Sequence, residues 1–238
     1  MEFEIVKTNI INVPADAIVL PANENLKEGS GASQAIFEAA GRKNLTKACS
    51  KIKHCNTGSA VPTLAYQLNA KYIIHAVVPR WVDGQNNEYD LLSSAYLSAL
   101  TVADIMDCES IAFPLLASGN NGFDLELAFR IAKENIELFS GTHLKKVILV
   151  VYGNHTEAFL KSLGYTVAVI PEHFLKDERK EAHRAKMEQL LAEGKDIAQT
   201  MLEQQIEKAL EWLKDEEHQK KMMQFAFNIA RVAMARFK

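Results

Sequence analysis

The sequence predicts an α/β protein in which a mixed, mainly parallel sheet lies between two layers of helices. Up to about residue 170, short apolar runs rich in Val and Ile alternate with longer helical patterns. These runs are apolar at nearly every position, as is typical of strands covered by helices on both faces. After Pro171 the chain has one glycine, no proline and no β-rich run. We therefore expect a three-layer α/β/α domain at residues 1–170 and an all-helical C-terminal extension at residues 171–238.

The predicted elements follow from the same patterns. Strands are expected at Glu2–Lys7, Ala17–Pro21, Tyr72–Val78, Ser110–Leu115, Lys145–Tyr152 and Thr166–Ile170. Helices are expected at Gly31–Ala40, Glu88–Met106, Asp124–Phe139 and His155–Leu163, with a shorter one at Asn44–Lys53. The extension is predicted to form helices at His173–Glu193, Asp196–Lys214 and Glu216–Phe237, and Asp196 suits the N-cap of the second.

The last predicted helix has an apolar face whose residues recur every three or four positions. Its members are Met222, Phe225, Ile229, Val232, Ala233 and Phe237. Such a face packs on the rest of the protein or forms a homodimer or partner surface, and both interpretations stay open.

Composition narrows the classes of function. The net charge is −3, so no global basic field favours nucleic acid, although a local basic patch remains open. The N-terminus is too polar for a secretory leader and no long apolar run predicts a membrane span, so we expect a cytoplasmic protein. Three cysteines predict reduced thiols. His54-Cys55 beside Cys49 has no second ligand pair at zinc spacing, so neither a metal nor a cofactor is expected.

The most informative stretch begins with a buried strand that ends at Asn23. A polar segment follows, and Gly29-Ser30-Gly31 then opens a helix that continues through Ala32 and Ser33. Glycines let a backbone approach a ligand closely, and the first amides of a helix have no partner within the helix. The helix dipole adds positive charge at the same end, so this loop can bind phosphate without Lys or Arg. A tight strand-to-helix turn needs the same residues for steric reasons alone.

A second glycine loop repeats the pattern. The apolar run that begins at Ile111 leads into a polar turn before a helix near Asp124; the turn consists of Ser118, Gly119, Asn120, Asn121, Gly122 and Phe123. Loops at the carboxyl ends of strands can face each other across one crevice. Two phosphate-sized loops favour a diphosphate ligand.

The combination resembles the macro domain family. Asp16-Ala-Ile-Val-x-x-Ala-Asn23, Gly29-x-Gly31 and the helix through Gly41 are similar to its first signature. Thr57-Gly58-x-Ala60, Tyr72-Ile-Ile-His75 and Pro79-x-Trp81 look like its middle strands, and Ser118-Gly119-x-x-Gly122-Phe123 looks like its second phosphate loop. The resemblance spans residues 3 to about 170, in the family's order.

The resemblance implies a cleft for ADP-ribose at the strand ends. The two glycine loops, at 29–33 and 118–123, would hold the diphosphate through backbone amides. Asn23 would hydrogen-bond the distal ribose, and Asn9 and Ile10 would receive the adenine. His75, inside a strand, is expected to be a core histidine.

Departures from the family pattern bear on catalysis. Hydrolytic members remove ADP-ribose from protein carboxylates or deacetylate O-acetyl-ADP-ribose. They commonly have Gly-Gly-Val-Asp-Gly where this chain has Ser30-Gly31-Ala32-Ser33-Gln34, although some active relatives lack the aspartate. Ser33 replaces the aspartate and cannot act as a carboxylate base. Further differences are Leu20 for an asparagine, Asn121 for an aromatic residue and Asn9 for an aspartate that binds adenine. Asparagine keeps an oxygen acceptor, so adenine recognition can survive.

The sequence therefore predicts an ADP-ribose-binding protein. Hydrolysis of protein mono-ADP-ribose or O-acetyl-ADP-ribose remains open, with Asn23 and Ser33 as the candidate catalytic residues. The alternative is a degenerate macro domain that acts as an interaction scaffold through its helical tail, with the cleft narrowed by Gln34 and Asn121. A weaker third interpretation is a binder of RNA or poly-ADP-ribose, which would need a basic rim.

Overall fold

The computed structural model describes residues 1–170, 195–222 and 224. Its seven-stranded sheet has the order β3-β4-β2-β5-β6-β1-β7. The strands are β1 (Glu2–Lys7), β2 (Ala17–Ala22), β3 (Ala60–Leu64), β4 (Tyr72–Val77), β5 (Ser110–Pro114), β6 (Lys146–Val151) and β7 (Ala168–Val169). All neighbours are parallel except β3 and β4, which are antiparallel. The predicted mixed, mainly parallel sheet is confirmed.

Helices cover both faces of this sheet. They are α1 (Ala32–Ala40), α2 (Arg42–Ile52), α3 (Glu88–Ile105), α4 (Leu125–Leu138), α5 (Asn154–Ser162) and α6 (Lys195–Lys214). Residues 216–222 are also helical, and a 3₁₀ turn lies at Ile10–Asn12.

Alternate residues of each central strand enter two separate cores. In β2, Ala17 and Val19 pack with α3 and α4, whereas Ile18 and Leu20 pack with α1, α2 and the 3₁₀ turn. A side-chain period of two with apolar residues on both faces is why these strands are almost continuously apolar in sequence. The expected three-layer arrangement is confirmed.

Two differences from the predicted elements have local causes. Strand β3 was not among the predicted strands, because it is a five-residue edge strand with Pro62 at its centre and has little strand signal. The last strand covers only Ala168–Val169 of the predicted Thr166–Ile170. The other predicted strands and helices of residues 1–170 form with ends that differ by at most two residues.

The C-terminal extension packs on the domain through α6. Ala209 is fully buried in the core on the α3 side, and Leu213 contacts the cores on both sides of the sheet. The Tyr72 hydroxyl at the start of β4 donates to Gln205, whose amide nitrogen donates to Asp107 at 3.2 Å. Since α6 also contacts β3, it covers the open edge of the sheet.

Part of the predicted extension is not described. Helix α6 already includes Lys195, so Asp196 is a helical residue and not the predicted N-cap. The predicted helix His173–Glu193, and Phe225 to Phe237 of the last one, lie outside the described residues. The boundary near residue 170 and the homodimer surface therefore stay predictions. Within the described part of the chain, no helix is long and apolar enough to cross a membrane.

Candidate functional site: a cleft between two glycine loops

The two predicted phosphate loops follow neighbouring strands. Strand β2 lies between β4 and β5 in the sheet. After β2 the chain forms β3 and β4, which lie on one side of β2. After β5 the chain forms β6, which lies on the opposite side of β5 from β2. The strand order therefore reverses between β2 and β5. In parallel sheets, a crevice forms at such a reversal, outside the carboxyl ends of the strands.

The first loop leaves the amino end of α1 open. Gly31 is the N-cap residue, with φ 63° and ψ −127°, and no side chain caps the helix. This backbone conformation suits glycine alone, and a Cβ added at Gly31 would meet nothing within 4 Å. The first amides of α1 have no partner within the helix and lie at its positive end, which is an anion-binding arrangement.

Asn23 and Ser33 both hold this loop together. The Asn23 side chain donates to the Lys27 carbonyl at 2.8 Å and accepts from the Lys27 amide at 3.1 Å. Ser33 is buried, and its hydroxyl oxygen accepts from the Gly29 amide at 3.0 Å. Gly29 therefore uses its own amide inside the loop, and Ser33 acts in this structure as a support for the loop.

Some backbone amides of the second loop already donate hydrogen bonds within the loop. The Gly122 amide donates to Gly119 at 3.0 Å and the Phe123 amide to Ala117 at 3.2 Å. Asp124 caps α4 by accepting from its second and third amides, so that helix end is already neutralised. A Cβ added at Gly119 would meet nothing within 4 Å. Only the portion from Ser118 to Asn121 can offer backbone amides to a ligand.

A side-chain hydrogen bond joins the two loops. The Asn120 amide nitrogen donates to the Ser30 hydroxyl at 2.6 Å, and both residues are exposed. The predicted loops thus face each other and are close enough to enclose a small anionic group from two sides. We refer to this Ser30–Asn120 pair as the clasp.

Trp81 supports the second loop through a backbone hydrogen bond and aromatic contacts. The Trp81 amide donates to the Asn121 carbonyl at 2.8 Å, and the indole contacts Phe123 and Tyr89 edge-on. The segment after Trp81 is fixed by the carboxylate of Glu88, which accepts from the amides of Val82, Asp83, Gly84 and Asn86. Burial works to raise the pKa of Glu88, but these backbone hydrogen bonds outweigh it and lower the pKa to about 2.

The residues predicted to receive the adenine follow the carboxyl end of β1. Asn9 caps the 3₁₀ turn, and its side-chain oxygen accepts from the Ile11 amide at 3.3 Å, while Ile10 is buried. The sequence analysis missed Tyr152, which directly follows β6 and is 73% exposed. The Thr8 amide donates to the Val151 carbonyl at 3.3 Å, so Tyr152, the next residue, lies beside the start of the 3₁₀ turn. Its sequence signal was an aromatic residue at the end of an otherwise aliphatic strand.

The carboxylates around the cleft already have partners. Hydrogen bonds from the Thr57 hydroxyl and amide hold the pKa of Glu24 below its ordinary value. Glu28 pairs with Arg42 at 3.0 Å, and Asp124 caps α4. Asn23 and Ser33 do not ionise near neutral pH. Among the residues that the structure describes, the cleft therefore presents a site for an anion in which every carboxylate named above is already hydrogen-bonded or ion-paired.

His75 and the three cysteine thiols are buried side chains. His75 is fully buried, with Nε2 at 2.9 Å from the Thr63 hydroxyl, and burial lowers its pKa to about 4. The predicted core histidine is confirmed. Burial raises the pKa of the thiols of Cys49 and Cys108 to about 11 and about 12. Among the described residues, no three potential ligands cluster as a metal site.

With this geometry established, comparison with known proteins identifies the class. The macro domain family profile matches residues 19–132. A macro domain-containing protein of Caldanaerobacter subterraneus is 40% identical over 157 residues, which cover 64% of this chain and 90% of the relative. The chain belongs to the macro domain family.

Other relatives have more specific descriptions. An O-acetyl-ADP-ribose deacetylase of Escherichia fergusonii is 39% identical over 143 residues, covering 58% of this chain and 80% of that protein. The structure of an Oceanobacillus iheyensis macrodomain with ADP is similar, with a TM-score of 0.63 and 29% identity over 67% of this chain and 88% of that one. A Trypanosoma brucei macrodomain in complex with ADP-ribose has a TM-score of 0.62 and 27% identity, covering 69% of each chain.

Proposed function

We propose that this protein binds ADP-ribose or a close derivative in the cleft between its two glycine loops. The observation that carries the proposal is the open amino end of α1. Gly31 has no capping side chain, and space beside it is free. The opposing loop offers a second set of amides near Gly119, at a distance that the clasp bridges. Two facing sets of amides suit the two phosphates of one ligand.

The ends of the cleft fit the rest of the ligand. Asn23 lies at the exit of β2 with an exposed amide side chain, which suits hydrogen bonds to a ribose. Asn9, Ile10 and Tyr152 lie together at the other end, where an exposed aromatic ring and an apolar wall suit a purine. The relatives with bound ADP and ADP-ribose support the same ligand class.

Hydrolysis is the second candidate activity, favoured by the identity to the O-acetyl-ADP-ribose deacetylase. Asn23 would position a water molecule and Ser33 would hold the loop beside it, since neither side chain can remove the proton of the water near neutral pH. Any base would have to come from the substrate's own phosphates. We therefore propose hydrolysis of protein mono-ADP-ribose or O-acetyl-ADP-ribose as a slow activity secondary to binding.

The scaffold alternative has less support. It requires a cleft closed by Gln34 and Asn121. Gln34 is exposed, Asn121 is held from behind by Trp81, and a Cβ at Gly31 or Gly119 would contact nothing. An open cleft is the arrangement expected of a domain that retains its ligand.

A ligand series tests the proposal. Thermal unfolding of the whole chain is followed with ADP-ribose, ADP, AMP and ribose 5-phosphate, each at the same concentration. We expect the melting temperature to rise most with ADP-ribose, less with ADP and least with the monophosphates, because the cleft has two facing sets of amides. Equal shifts for ADP-ribose and AMP would contradict the diphosphate site. Incubation with O-acetyl-ADP-ribose in the same buffer measures the secondary activity.

A further inference from the structure

One stretch of the sequence is basic although the chain as a whole has a net negative charge. Between Glu38 and Asp83 the sequence has no acidic residue, whereas it has seven lysines and arginines: Arg42, Lys43, Lys47, Lys51, Lys53, Lys71 and Arg80. The chain contains 30 acidic residues in all. Arg42 pairs with Glu28 and Glu38, and Lys71 pairs with Asp16. The excess positive charge that the net charge of −3 conceals therefore lies on the other five.

Most of this charge lies on α2. Lys43, Lys47 and Lys51 recur every four residues and are exposed; we call them the lysine row. At 1.5 Å per residue the row is about 12 Å long. No ion pair joins it to any residue in the described part of the chain, whereas the neighbouring Arg42 pairs with Glu28 and Glu38.

The row ends beside the cleft. After α2 the chain returns to the exit of β2, where the Cys55 amide donates to the Glu24 carbonyl at 2.9 Å. The Thr57 hydroxyl donates to the Glu24 carboxylate, also at 2.9 Å. Glu24 directly follows Asn23, the residue proposed to contact the distal ribose. The lysine row therefore runs toward the end of the cleft at which a group attached to that ribose would leave.

The chemistry of the row favours a polypeptide over a nucleic acid. Its exposed neighbours on α2 are Asn44, Thr46 and Ser50, and no exposed residue of this helix is aromatic. Proteins that bind single-stranded nucleic acids combine positive charge with aromatic rings on which the bases stack. Lysines without aromatic rings fit the carboxylates of an acidic peptide.

We propose that the lysine row binds an acidic segment of the protein to which ADP-ribose is attached. This inference rests on the proposed function and adds the acceptor to it: the nucleotide occupies the cleft, and carboxylates next to the modified residue contact Lys51, Lys47 and Lys43 in that order. The row then selects acceptors in which the modification lies among Asp and Glu residues.

The test uses two probes and two matched variants of the full chain. One probe is a synthetic peptide of alternating glutamate and glycine with one ADP-ribosylated serine; the other has glutamine in place of glutamate. The row variant carries Lys43→Glu, Lys47→Glu and Lys51→Glu. The control variant carries Lys208→Glu, Lys214→Glu and Lys220→Glu, which changes the same number of exposed charges on the C-terminal helices. Circular dichroism verifies that both variants fold.

We expect the row variant to bind the acidic probe at least about tenfold more weakly than the wild type, since several exposed charge pairs are lost. Its affinity for the glutamine probe and for free ADP-ribose should not change, and the control variant should match the wild type. Added salt should weaken binding of the acidic probe more than binding of the glutamine probe, because only the acidic probe forms charge pairs with the row in addition to its diphosphate contacts.

Several outcomes would overturn the inference. Equal affinity of the wild type for both probes would show that the row is only a solvated face. Tighter binding of a single-stranded oligoadenylate than of the acidic probe, lost in the row variant, would assign the row to nucleic acid. Failure of free ADP-ribose to bind the wild type would instead refute the proposed function, so the two failures are distinguishable.

Discussion

Among single residues, Ser33 shows how a substitution can change the role of a position. The family resemblance leads us to expect an aspartate there, whereas the Ser33 hydroxyl accepts from the Gly29 amide and the residue is almost fully buried. The residue supports the loop by satisfying a backbone amide. Loss of this support should affect affinity more than turnover.

Replacement of Ser33 by alanine tests that role. Ser33→Ala leaves the Gly29 amide without its acceptor, so we expect the free energy of unfolding to fall by about 1 kcal/mol. The dissociation constant for ADP-ribose should rise several-fold because the loop is less ordered. Urea unfolding and calorimetry measure the two effects, with Ser162→Ala as the control because its hydroxyl bonds the remote Phe159 carbonyl. An unchanged affinity would show that Ser33 is dispensable for the loop.

The clasp gives a second prediction for individual residues. Ser30→Ala and Asn120→Ala each remove the same 2.6 Å hydrogen bond between the loops. We expect each to speed dissociation of ADP-ribose about two- to tenfold, the range of one net hydrogen bond. The double variant should be no worse than either single one, because the bond is lost only once. Stopped-flow displacement measures the rates, and additive effects would argue against a shared bond.

The sequence predicted many site residues but not their interactions. Both glycine loops could be predicted, because a buried strand followed by a glycine-rich turn is a local pattern in the sequence. The bond between Ser30 and Asn120 joins residues 90 positions apart, and no local pattern encodes it. The amides of Gly29, Gly122 and Phe123 were expected to donate hydrogen bonds to a ligand only because these residues lie within the glycine loops of the sequence. In the structure these amides bond within their loops.

At the level of elements, the first turn of α3 supports the cleft through Glu88. Its carboxylate organises the segment after Trp81, which in turn holds the second loop. The spacing of Trp81 and Glu88 in the sequence does not predict this arrangement. One carboxylate can accept from several backbone amides only after the chain has folded back around it. The missed edge strand β3 has the same cause: its pairing with β4, and not its composition, defines it.

The pH dependence of stability tests Glu88. Its pKa in the folded protein is lowered from the ordinary value of 4.5 to about 2, so ionised Glu88 stabilises the fold above pH 4.5. This contribution should disappear as the pH falls from about 4.5 to about 2. We expect Glu88→Gln to lower the melting temperature near neutral pH and the difference from wild type to shrink over that window. Glu137→Gln, at an exposed position of α4, is the control; a difference independent of pH would contradict this role.

At the level of the whole molecule, helix α6 of the C-terminal extension packs on the domain as part of the described fold. Helix α6 buries Ala209 completely and lies over the edge of the sheet at β3. Sequence analysis predicted the helix from its pattern, but its contact surface depends on an edge strand that was itself missed. An uncovered edge strand offers unpaired backbone groups to another chain.

Introduction of a charge at Ala209 tests this cover. Ala209→Asp buries a carboxylate without a partner, so we expect a loss of stability of at least about 2 kcal/mol. Exposure of β3 should also cause concentration-dependent association. Lys208→Asp places the same residue on the exposed side of α6 and should have little effect on either. Light scattering with thermal unfolding distinguishes the variants, and equal behaviour would mean that α6 does not protect the edge.

The measurement that tests the central claim most directly is calorimetric titration of ADP-ribose into the whole chain and two variants at Gly119. A side chain at this position meets open space, so both Gly119→Ala and Gly119→Glu should fold. The account predicts saturable micromolar binding by the wild type, retained by Gly119→Ala and lost in Gly119→Glu, which places a negative charge between the loops. Absence of heat at millimolar ADP-ribose from folded wild-type protein, or undiminished binding by Gly119→Glu, would contradict the proposed site.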